Sequence, residues 1–338
     1  MGDGIEGGLF MATVPGGIFD TSTNPNIDAD QGASISSFLT SLGLSESSIT
    51  QVTVSTTGTN TIDDTTPTST FSVGSGQTVN VVLSGTTGKT LIVTGSGNAS
   101  IAGSAAGDSV LGGAGSDSIT GGLGDDQVRG GAGNDILYGG VGNDLVYGGA
   151  ADEGDGNNLL EGNVGEDSIV GGAGNDTLRG GKENDTVEGT AGNNLMYGGQ
   201  GDDSMVGGTG NDTIQANDGN DTITAGDAVS AELRGGKDND SIVGGGGSDT
   251  LYSGKGSDTL TGGAGDDIFA FKEGDETNVI TDFGTGSDRI EIAGYSFDQL
   301  TIANNGSGNA VISMPDGTTI ELQGVDAATV TSDLFLFT

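Results

Sequence analysis

The amino-acid sequence predicts an all-β protein, a parallel β-roll or β-helix solenoid of nine-residue repeats with a β-rich C-terminal cap. A nine-residue phrase with the consensus G-G-x-G-x-D-x-U-x, where U is a large apolar residue, recurs from about Gly112 to Ala270. The 338 residues include 69 glycines but only 4 prolines, which excludes a collagen composition. Aromatic residues make up only 4%, so apolar side chains must be buried between stacked repeats rather than in one large core.

Each repeat divides into a turn and a short strand, as in GGAGNDILY at 130–138 and GGVGNDLVY at 139–147. Glycine at positions 1, 2 and 4 lets the main chain take positive φ and approach a bound ion closely. The apolar residue at position 8 is predicted to face the interior. Because strand side chains alternate, position 9 then faces outward.

Position 6 of the repeat is nearly always aspartate. Ca²⁺ prefers six to eight oxygen ligands, which carboxylates and carbonyls of stacked turns can supply. The sequence therefore predicts calcium sites and no catalytic residue or organic cofactor site. The predicted ligands are Asp108, Asp117, Asp126, Asp135, Asp144, Asp167, Asp176, Asp185, Asp203, Asp212, Asp221, Asp240, Asp249, Asp258 and Asp267.

Three repeats lack this aspartate. Asn158 and Asn194 replace it in two of them, and weaker sites are expected there. Ala231 replaces it in a repeat that is one residue longer, and that site is expected to be empty.

Composition excludes several classes of function. The net charge is −39, so the calcium-free chain is expected to repel itself and stay largely unfolded. Histidine and cysteine are absent, which removes His-based catalysis, zinc sites and disulfides and leaves only carboxylate chemistry open. Nucleic acid is not an expected partner, because phosphate binding needs a basic surface. The sequence contains no run of about 20 apolar residues, so no membrane span is predicted.

With these repeats the chain resembles the RTX, or haemolysin-type, calcium-binding repeat family. The resemblance implies a right-handed parallel β-roll with two repeats per coil and each ion between the turns of repeats n and n+2. It implies on the order of ten to fifteen Ca²⁺ ions. It also implies type I secretion to the cell exterior or cell surface, with an uncleaved signal near residues 333–338.

Four regions are predicted. Residues 1–75 are rich in Ser, Thr and Gly, and include a short predicted helix at 34–44. Residues 76–111 keep a nine-residue period without most ligands, and 112–270 form the calcium-binding roll. Residues 271–338 resemble the C-terminal cap of RTX proteins, with the export signal and a hairpin turn at Pro315-Asp316-Gly317.

In region 76–111, the predicted core residues are Leu83, Ile92, Ile101 and Val110. The triplet Gly88-Lys89-Thr90 matches the end of a phosphate-binding loop. Leu83 stands where the first glycine of that motif belongs, so the match is not expected to be functional.

The favoured function is a non-enzymatic, calcium-dependent structural protein that self-assembles into a surface layer, sheath or filament. The composition resembles the oscillin-like surface proteins of cyanobacteria. The outer-face candidates for contact are Val170, Val206 and Val243 on one sheet and Tyr138, Tyr197 and Tyr252 on the other.

A secreted RTX effector or adhesin is the alternative, with residues 1–75 or the roll surface binding a partner such as a cell-surface polysaccharide. Ice binding is not expected, because position 3 of the repeats carries no row of threonines.

Overall fold

The structure is a computed structural model that describes residues 50–51, 59–65, 68–149 and 156–338. The chain divides into two units, Met1–Gly156 (unit 1) and Asn157–Thr338 (unit 2), and each is described by itself. The predicted helix at 34–44 lies outside the described residues.

Unit 1 is a parallel β-solenoid. Its described strands are β1 Thr50–Gln51, β2 Thr59–Ile62, β3 Thr68–Ser72, β4 Thr78–Leu83, β5 Thr90–Thr94, β6 Asn98–Ala102, β7 Ser109–Gly113, β8 Ser118–Leu123, β9 Gln127–Gly131, β10 Ile136–Val141 and β11 Leu145–Tyr147. Successive strands alternate between two sheets. The odd-numbered strands form sheet A, in the order β1-β3-β5-β7-β9-β11, and the even-numbered strands form sheet B, in the order β2-β4-β6-β8-β10.

Unit 2 repeats this plan and adds a closing segment. Its strands are β12 Leu159–Val164, β13 Ser168–Ala173, β14 Thr177–Lys182, β15 Thr186–Ala191, β16 Leu195–Gln200, β17 Ser204–Gly208, β18 Thr213–Asp218, β19 Thr222–Gly226, β20 Glu232–Lys237, β21 Ser241–Gly246, β22 Thr250–Lys255, β23 Thr259–Ala264, β24 Ile268–Phe271, β25 Thr277–Ile280, β26 Arg289–Ile292, β27 Thr301–Asn304, β28 Ala310–Ser313, β29 Thr319–Leu322 and β30 Phe335–Phe337. Short 3₁₀ helices span Phe297–Gln299, Ala327–Thr329 and Ser332–Leu334. Odd-numbered strands from β13 to β25 form sheet A of unit 2, and even-numbered strands from β12 to β26 form its sheet B.

Two repeats make one coil, so a residue stacks on the residue 18 positions away. Met196 lies opposite Leu178 on one side and Ile214 on the other, and all three are fully buried. The predicted inward position 8 is thereby confirmed along the repeats. Its buried members are Ile119, Val128, Leu137, Val146, Leu160, Ile169, Leu178, Val187, Met196, Met205, Ile214, Ile223, Leu233, Ile242, Leu251, Leu260 and Phe269.

Upstream of Gly112 the predicted nine-residue register is wrong. Ile101 lies opposite Val81 rather than Leu83, and Val110 lies opposite Leu91 rather than Ile92. Leu83 and Ile92 are buried as predicted, but at other positions along their strands. The coils are longer here, because extra turn residues separate strands that still pair in parallel. The sequence period therefore drifts while the stacking does not.

The C-terminal segment closes the end of unit 2. The predicted hairpin around Pro315 is confirmed, since β28 and β29 pair antiparallel on either side of it. Strand β29 also pairs in parallel with β25, and β30 pairs in parallel with β26. Ile320 and Leu322 are fully buried beneath this closure. Sheet A thus ends in an antiparallel meander, which covers the hydrogen-bonding edge that a solenoid otherwise leaves open.

Candidate metal centres

The position-6 residues of each unit stack in two columns. Column A lies in the turns that precede the strands of sheet A, and column B lies in the turns that precede sheet B. In column A of unit 2, the backbone N–H of Asp185 donates to Oδ1 of Asp203 at 2.8 Å, and that of Asp203 donates to Oδ1 of Asp221 at 2.7 Å. The same contact recurs along both columns, so one carboxylate oxygen of each aspartate orders the preceding turn.

The columns include every predicted ligand and several residues that are not aspartate. Column A contains Lys89, Asp108, Asp126 and Asp144 in unit 1, and Asp167, Asp185, Asp203, Asp221, Asp240, Asp258 and Asn278 in unit 2. Column B contains Ala99, Asp117 and Asp135 in unit 1, and Asn158, Asp176, Asn194, Asp212, Ala231, Asp249, Asp267 and Asp288 in unit 2.

The second carboxylate oxygen is buried without a hydrogen-bond donor in most of these aspartates. A buried anionic oxygen without a partner is costly, unless a cation contacts it. The aspartates with such an Oδ2 atom include Asp117, Asp126, Asp185, Asp203, Asp212, Asp221, Asp240, Asp249, Asp258 and Asp267.

Eight of these ten oxygens face a small space beside a glycine; the exceptions are those of Asp221 and Asp258, whose repeats begin with Ala216 and Ser253. At Gly112, a Cβ atom would lie 2.4 Å from Oδ2 of Asp117 and 2.8 Å from the carbonyl oxygen of Gly130. At Gly198, it would lie 2.3 Å from Oδ2 of Asp203 and 2.8 Å from the carbonyl oxygen of Ala216. At these two positions glycine leaves a space on which a carboxylate and a carbonyl oxygen converge. Such an oxygen set suits a hard cation.

The surroundings of the carboxylates oppose charge in the absence of a cation. Burial raises the pKa of Asp185 and Asp240 to about 8, although a backbone N–H bound to each acts in the opposite direction. Burial also raises the pKa of Asp117 and Asp203 to about 7. A divalent cation at the unpartnered oxygens would favour the ionised form. Among the described residues no three Asp, Glu, His or Cys side chains form a metal-binding group.

Comparison with known proteins identifies the repeat. The family model of the RTX calcium-binding nonapeptide repeat matches residues 84–119, 93–128, 120–152, 154–187, 179–214, 206–228 and 244–275, which together cover just over half of the chain. The chain belongs to the RTX calcium-binding repeat family. Repeats of this family bind Ca²⁺, which confirms the predicted family and the type of metal. Comparison with the curated proteins finds no match.

Two solved structures resemble part of the chain. One is the solution structure of the AlgE6R3 subunit of the Azotobacter vinelandii mannuronan C5-epimerase, with a sequence identity of 21% and a TM-score of 0.23. The match covers 46% of this chain and 80% of the AlgE6R3 chain. The extracellular lipase LipA of Serratia marcescens is 18% identical, covers 62% of this chain and 40% of its own, and has a TM-score of 0.23. The fold of this RTX chain rests on its own strand pairing.

The two columns of RTX turns in unit 2 are unequal. Column A carries an uninterrupted series of aspartates from Asp167 to Asp258. The three departures found in the sequence, Asn158, Asn194 and Ala231, all fall in column B. Asp212 consequently has Asn194 and Ala231 as its column neighbours. The charge available for cations therefore differs between the two edges of the same unit.

The columns end in polar contacts within the protein. Asp108 differs from the other predicted ligands, because its Oδ2 accepts the backbone N–H of Ser104 at 2.8 Å. In unit 2, Oδ2 of Asp288, the last member of column B, accepts the N–H of Gly284 at 2.7 Å. Backbone donors thus satisfy the second oxygen of both Asp108 and Asp288.

Lys89 occupies the column position before Asp108, and its backbone N–H donates to Oδ1 of Asp108 at 2.7 Å. Its ammonium group is fully buried and lies 2.8 Å from the carboxylate of Asp64, and it also donates to the carbonyl of Thr87. The ammonium holds the pKa of Asp64 below its usual value. Lys89 therefore places a covalently attached cation at the start of column A.

Sequence reasoning missed Lys89, Asp288 and Asn278 as column members. Lys89 lies 19 residues before Asp108, and Asp288 lies 21 residues after Asp267, so neither follows the 18-residue spacing of the coil. The signal for Lys89 in the sequence is that it is the only basic residue before Arg129, but its place in the column depends on the strand register.

Proposed function

We propose that this RTX protein is a non-enzymatic, calcium-dependent structural protein that folds on binding Ca²⁺ outside the cell and self-assembles into a surface layer, sheath or filament. The series of buried carboxylate oxygens without donors carries the proposal. The net charge is −39, and the chain has only 9 lysines and arginines to neutralise 48 acidic residues. The folded state therefore depends on bound cations.

The predicted aspartates from Asp108 to Asp267 are the proposed ligands, and the number of ions is on the order of ten to fifteen. Asp108 is the weakest of these assignments, since its second oxygen already has a donor. Low calcium before export keeps such a chain unfolded, and calcium outside the cell folds it. Residues 271–338 are proposed to carry the type I export signal. No helix among the described residues is long and apolar enough to cross a membrane.

The outer face of sheet A in unit 2 supports self-association. Its position-9 row runs Val170, Glu188, Val206, Thr224, Val243 and Thr261 across six paired strands. Its position-7 row runs Ser168, Thr186, Ser204, Thr222, Ser241 and Thr259. Glu188 is the one charged residue in these two rows. A second copy can therefore approach this face without the charge repulsion that the acidic turns would impose.

A hydroxyl row thus lies at position 7 of this sheet, whereas position 3 of the repeats carries no row of threonines. The row exists on the sheet, where serine alternates with threonine. Because every second member lacks the threonine methyl group, it is not a uniform threonine array.

Electron microscopy of the purified protein with Ca²⁺ and with chelator tests the proposal, alongside circular dichroism. Calcium should convert coil into strand and produce ordered filaments or sheets. Replacing Val170, Val206 and Val243 together with Lys should abolish assembly but keep calcium-dependent folding. The matched control is Tyr197→Ser with Tyr252→Ser on sheet B. Equal strand content with and without calcium refutes the folding proposal, and a calcium-folded protein that stays monomeric refutes self-assembly.

A further inference from the structure

The basic residues of this acidic chain are concentrated on one surface. The sequence contains only 9 lysines and arginines against 48 acidic residues. Two of the nine, Lys89 and Arg129, lie in unit 1, and Lys89 is buried. The other seven lie along sheet B of unit 2 and are exposed or half-buried: Arg179, Lys182, Arg234, Lys237, Lys255, Lys272 and Arg289.

Strand pairing aligns these side chains in two rows. The first row is formed by cross-strand neighbours that run Arg179, Tyr197, Gln215, Arg234 and Tyr252. The second row runs Lys182, Gln200, Asp218, Lys237 and Lys255 at the carboxyl ends of the same strands. The two rows thus place cations among amides, tyrosine rings and the carboxylate of Asp218.

Internal contacts hold part of this surface in place. The guanidinium carbon of Arg234 lies 3.9 Å from the centroid of the Tyr252 ring, and Glu232 pairs with the same guanidinium. Lys237 pairs with Asp218 at 2.6 Å. These contacts limit the conformations of Arg234 and Tyr252 before any ligand binds, which lowers the entropy cost of binding.

A trough of about 270 Å³ opens beside the first row. Its lining includes Gln215, Asn217, Arg234 and Tyr252. On the side of β24 and β26 the lining includes Lys272, Asp275 and Glu291. Its volume is close to the lower end of small-ligand pockets, about 300 Å³.

The floor of the trough is main chain. A Cβ atom at Gly236 would lie 2.1 Å from the carbonyl oxygen of Asn217, and one at Gly254 would lie 2.3 Å from that of Gly236. Glycine is therefore required at both positions, and the trough is a consequence of the way these coils stack.

The mixture of groups indicates the ligand. A nucleic acid presents closely spaced phosphates, which Asp218, Glu232 and Glu291 would repel. A carboxylated sugar chain has fewer charges, separated by hydroxyl groups that bind amides and carboxylates alike. A tyrosine ring also offers an apolar surface to one face of a sugar.

We propose that sheet B of unit 2 binds an acidic, carboxylate-bearing polysaccharide, with one sugar residue in the trough beside Tyr252 and the lysine row contacting carboxylates along the chain. This proposal needs the calcium-loaded fold but not self-assembly. It gives the protein a charged surface for attachment, in contrast to the face of sheet A, whose two rows carry Glu188 as their one charged residue.

The test is titration calorimetry of the calcium-loaded full chain, at protein concentrations where light scattering shows monomers. The probe is a hyaluronate decasaccharide, with a neutral dextran oligosaccharide and a single-stranded DNA oligonucleotide as comparisons. The hyaluronate should bind, and its affinity should fall as the salt concentration rises, because salt screens interactions between exposed charges. Lys182, Lys237 and Lys255 changed together to Gln should lower the affinity about tenfold.

Tyr252→Ser should also weaken binding about tenfold, whereas Tyr252→Phe should retain it. Tyr147→Ser is the matched control, because Tyr147 has a similar arginine partner, Arg129, at 5.3 Å but lies outside this surface. The strand content of each variant in calcium is checked by circular dichroism. If Tyr252→Ser fails to fold, the affinity of the lysine variant and of Tyr252→Phe tests the proposal instead. Absence of hyaluronate binding, equal binding of dextran, preferential binding of DNA, or unchanged affinity in the lysine variant overturns the proposal.

Discussion

Asp203→Asn separates the two roles of a column aspartate. Oδ1 of Asp203 accepts the buried N–H of Asp185 at 2.8 Å, and Oδ2 has no donor. Asparagine keeps an oxygen for the N–H but removes the anionic ligand. Alanine removes both, so Asp203→Ala should be less stable than Asp203→Asn by about 1–3 kcal/mol at every calcium concentration.

The calcium-dependent part has a different magnitude. Each site contributes about 2.7 kcal/mol to the free energy of unfolding when free calcium is a hundredfold above its dissociation constant. Asp203 stands between Asp185 and Asp221 in column A and can border two ions. Its replacement by Asn should therefore cost about 3–5 kcal/mol at high calcium. The loss should shrink as calcium falls, by about 1.4 kcal/mol per decade for each site.

Urea unfolding followed by circular dichroism at several calcium concentrations measures this slope. Asp202→Asn is the control, because it makes the same change of charge one residue away at an exposed carboxylate that binds Asn220. It should leave the slope unchanged. If the free energy of unfolding falls by the same amount per tenfold decrease in calcium in Asp203→Asn and in the parent, Asp203 is not a ligand.

Three further outcomes are expected. Asn194→Asp should add a carboxylate to column B and raise the calcium stoichiometry or affinity measured by calorimetry, and no change would show that column B takes no ion there. Lys89→Met should leave the carboxylate of Asp64 without its buried partner and destabilise unit 1, seen as faster amide exchange in β5 and β7. In calcium-free protein, burial raises the pKa of Asp185 and Asp240 to about 8, so the folded state holds protons that the unfolded chain releases. Folding without calcium should then be favoured below the usual carboxyl pKa of 3.8 and be lost as the pH rises to about 8, which strand content measured by circular dichroism across that range would check.

The repeats could be interpreted from the sequence alone because each copy carries its own turn, ligand and core residue. Met196 and Ile214 occupy position 8 in any register that keeps the nine-residue period, and the structure buries both. The turn at Pro315 was equally local, since proline, aspartate and glycine specify it without help from distant residues.

The upstream coils could not be read in this way. Leu91 rather than Ile92 stacks on Val110, because turn length varies there and strand pairing, not spacing along the chain, decides which residues meet. A shift of one residue in a strand exchanges its inward and outward side chains. The sequence alone therefore does not show that Lys89 belongs to column A, where the structure places it in line with Asp108.

The sequence by itself determined the repeat family, the type of metal, the inward-facing row and the candidate ligands, since all of these depend on residue type within nine positions. Tertiary structure decided which candidate ligands share a column, how the columns end, and what each outer face presents. Those properties join residues 18 or more positions apart, such as Arg234 and Tyr252, or Val170 and Glu188. Pairing between coils brings such residues together, and variation in turn length determines the register in which they meet.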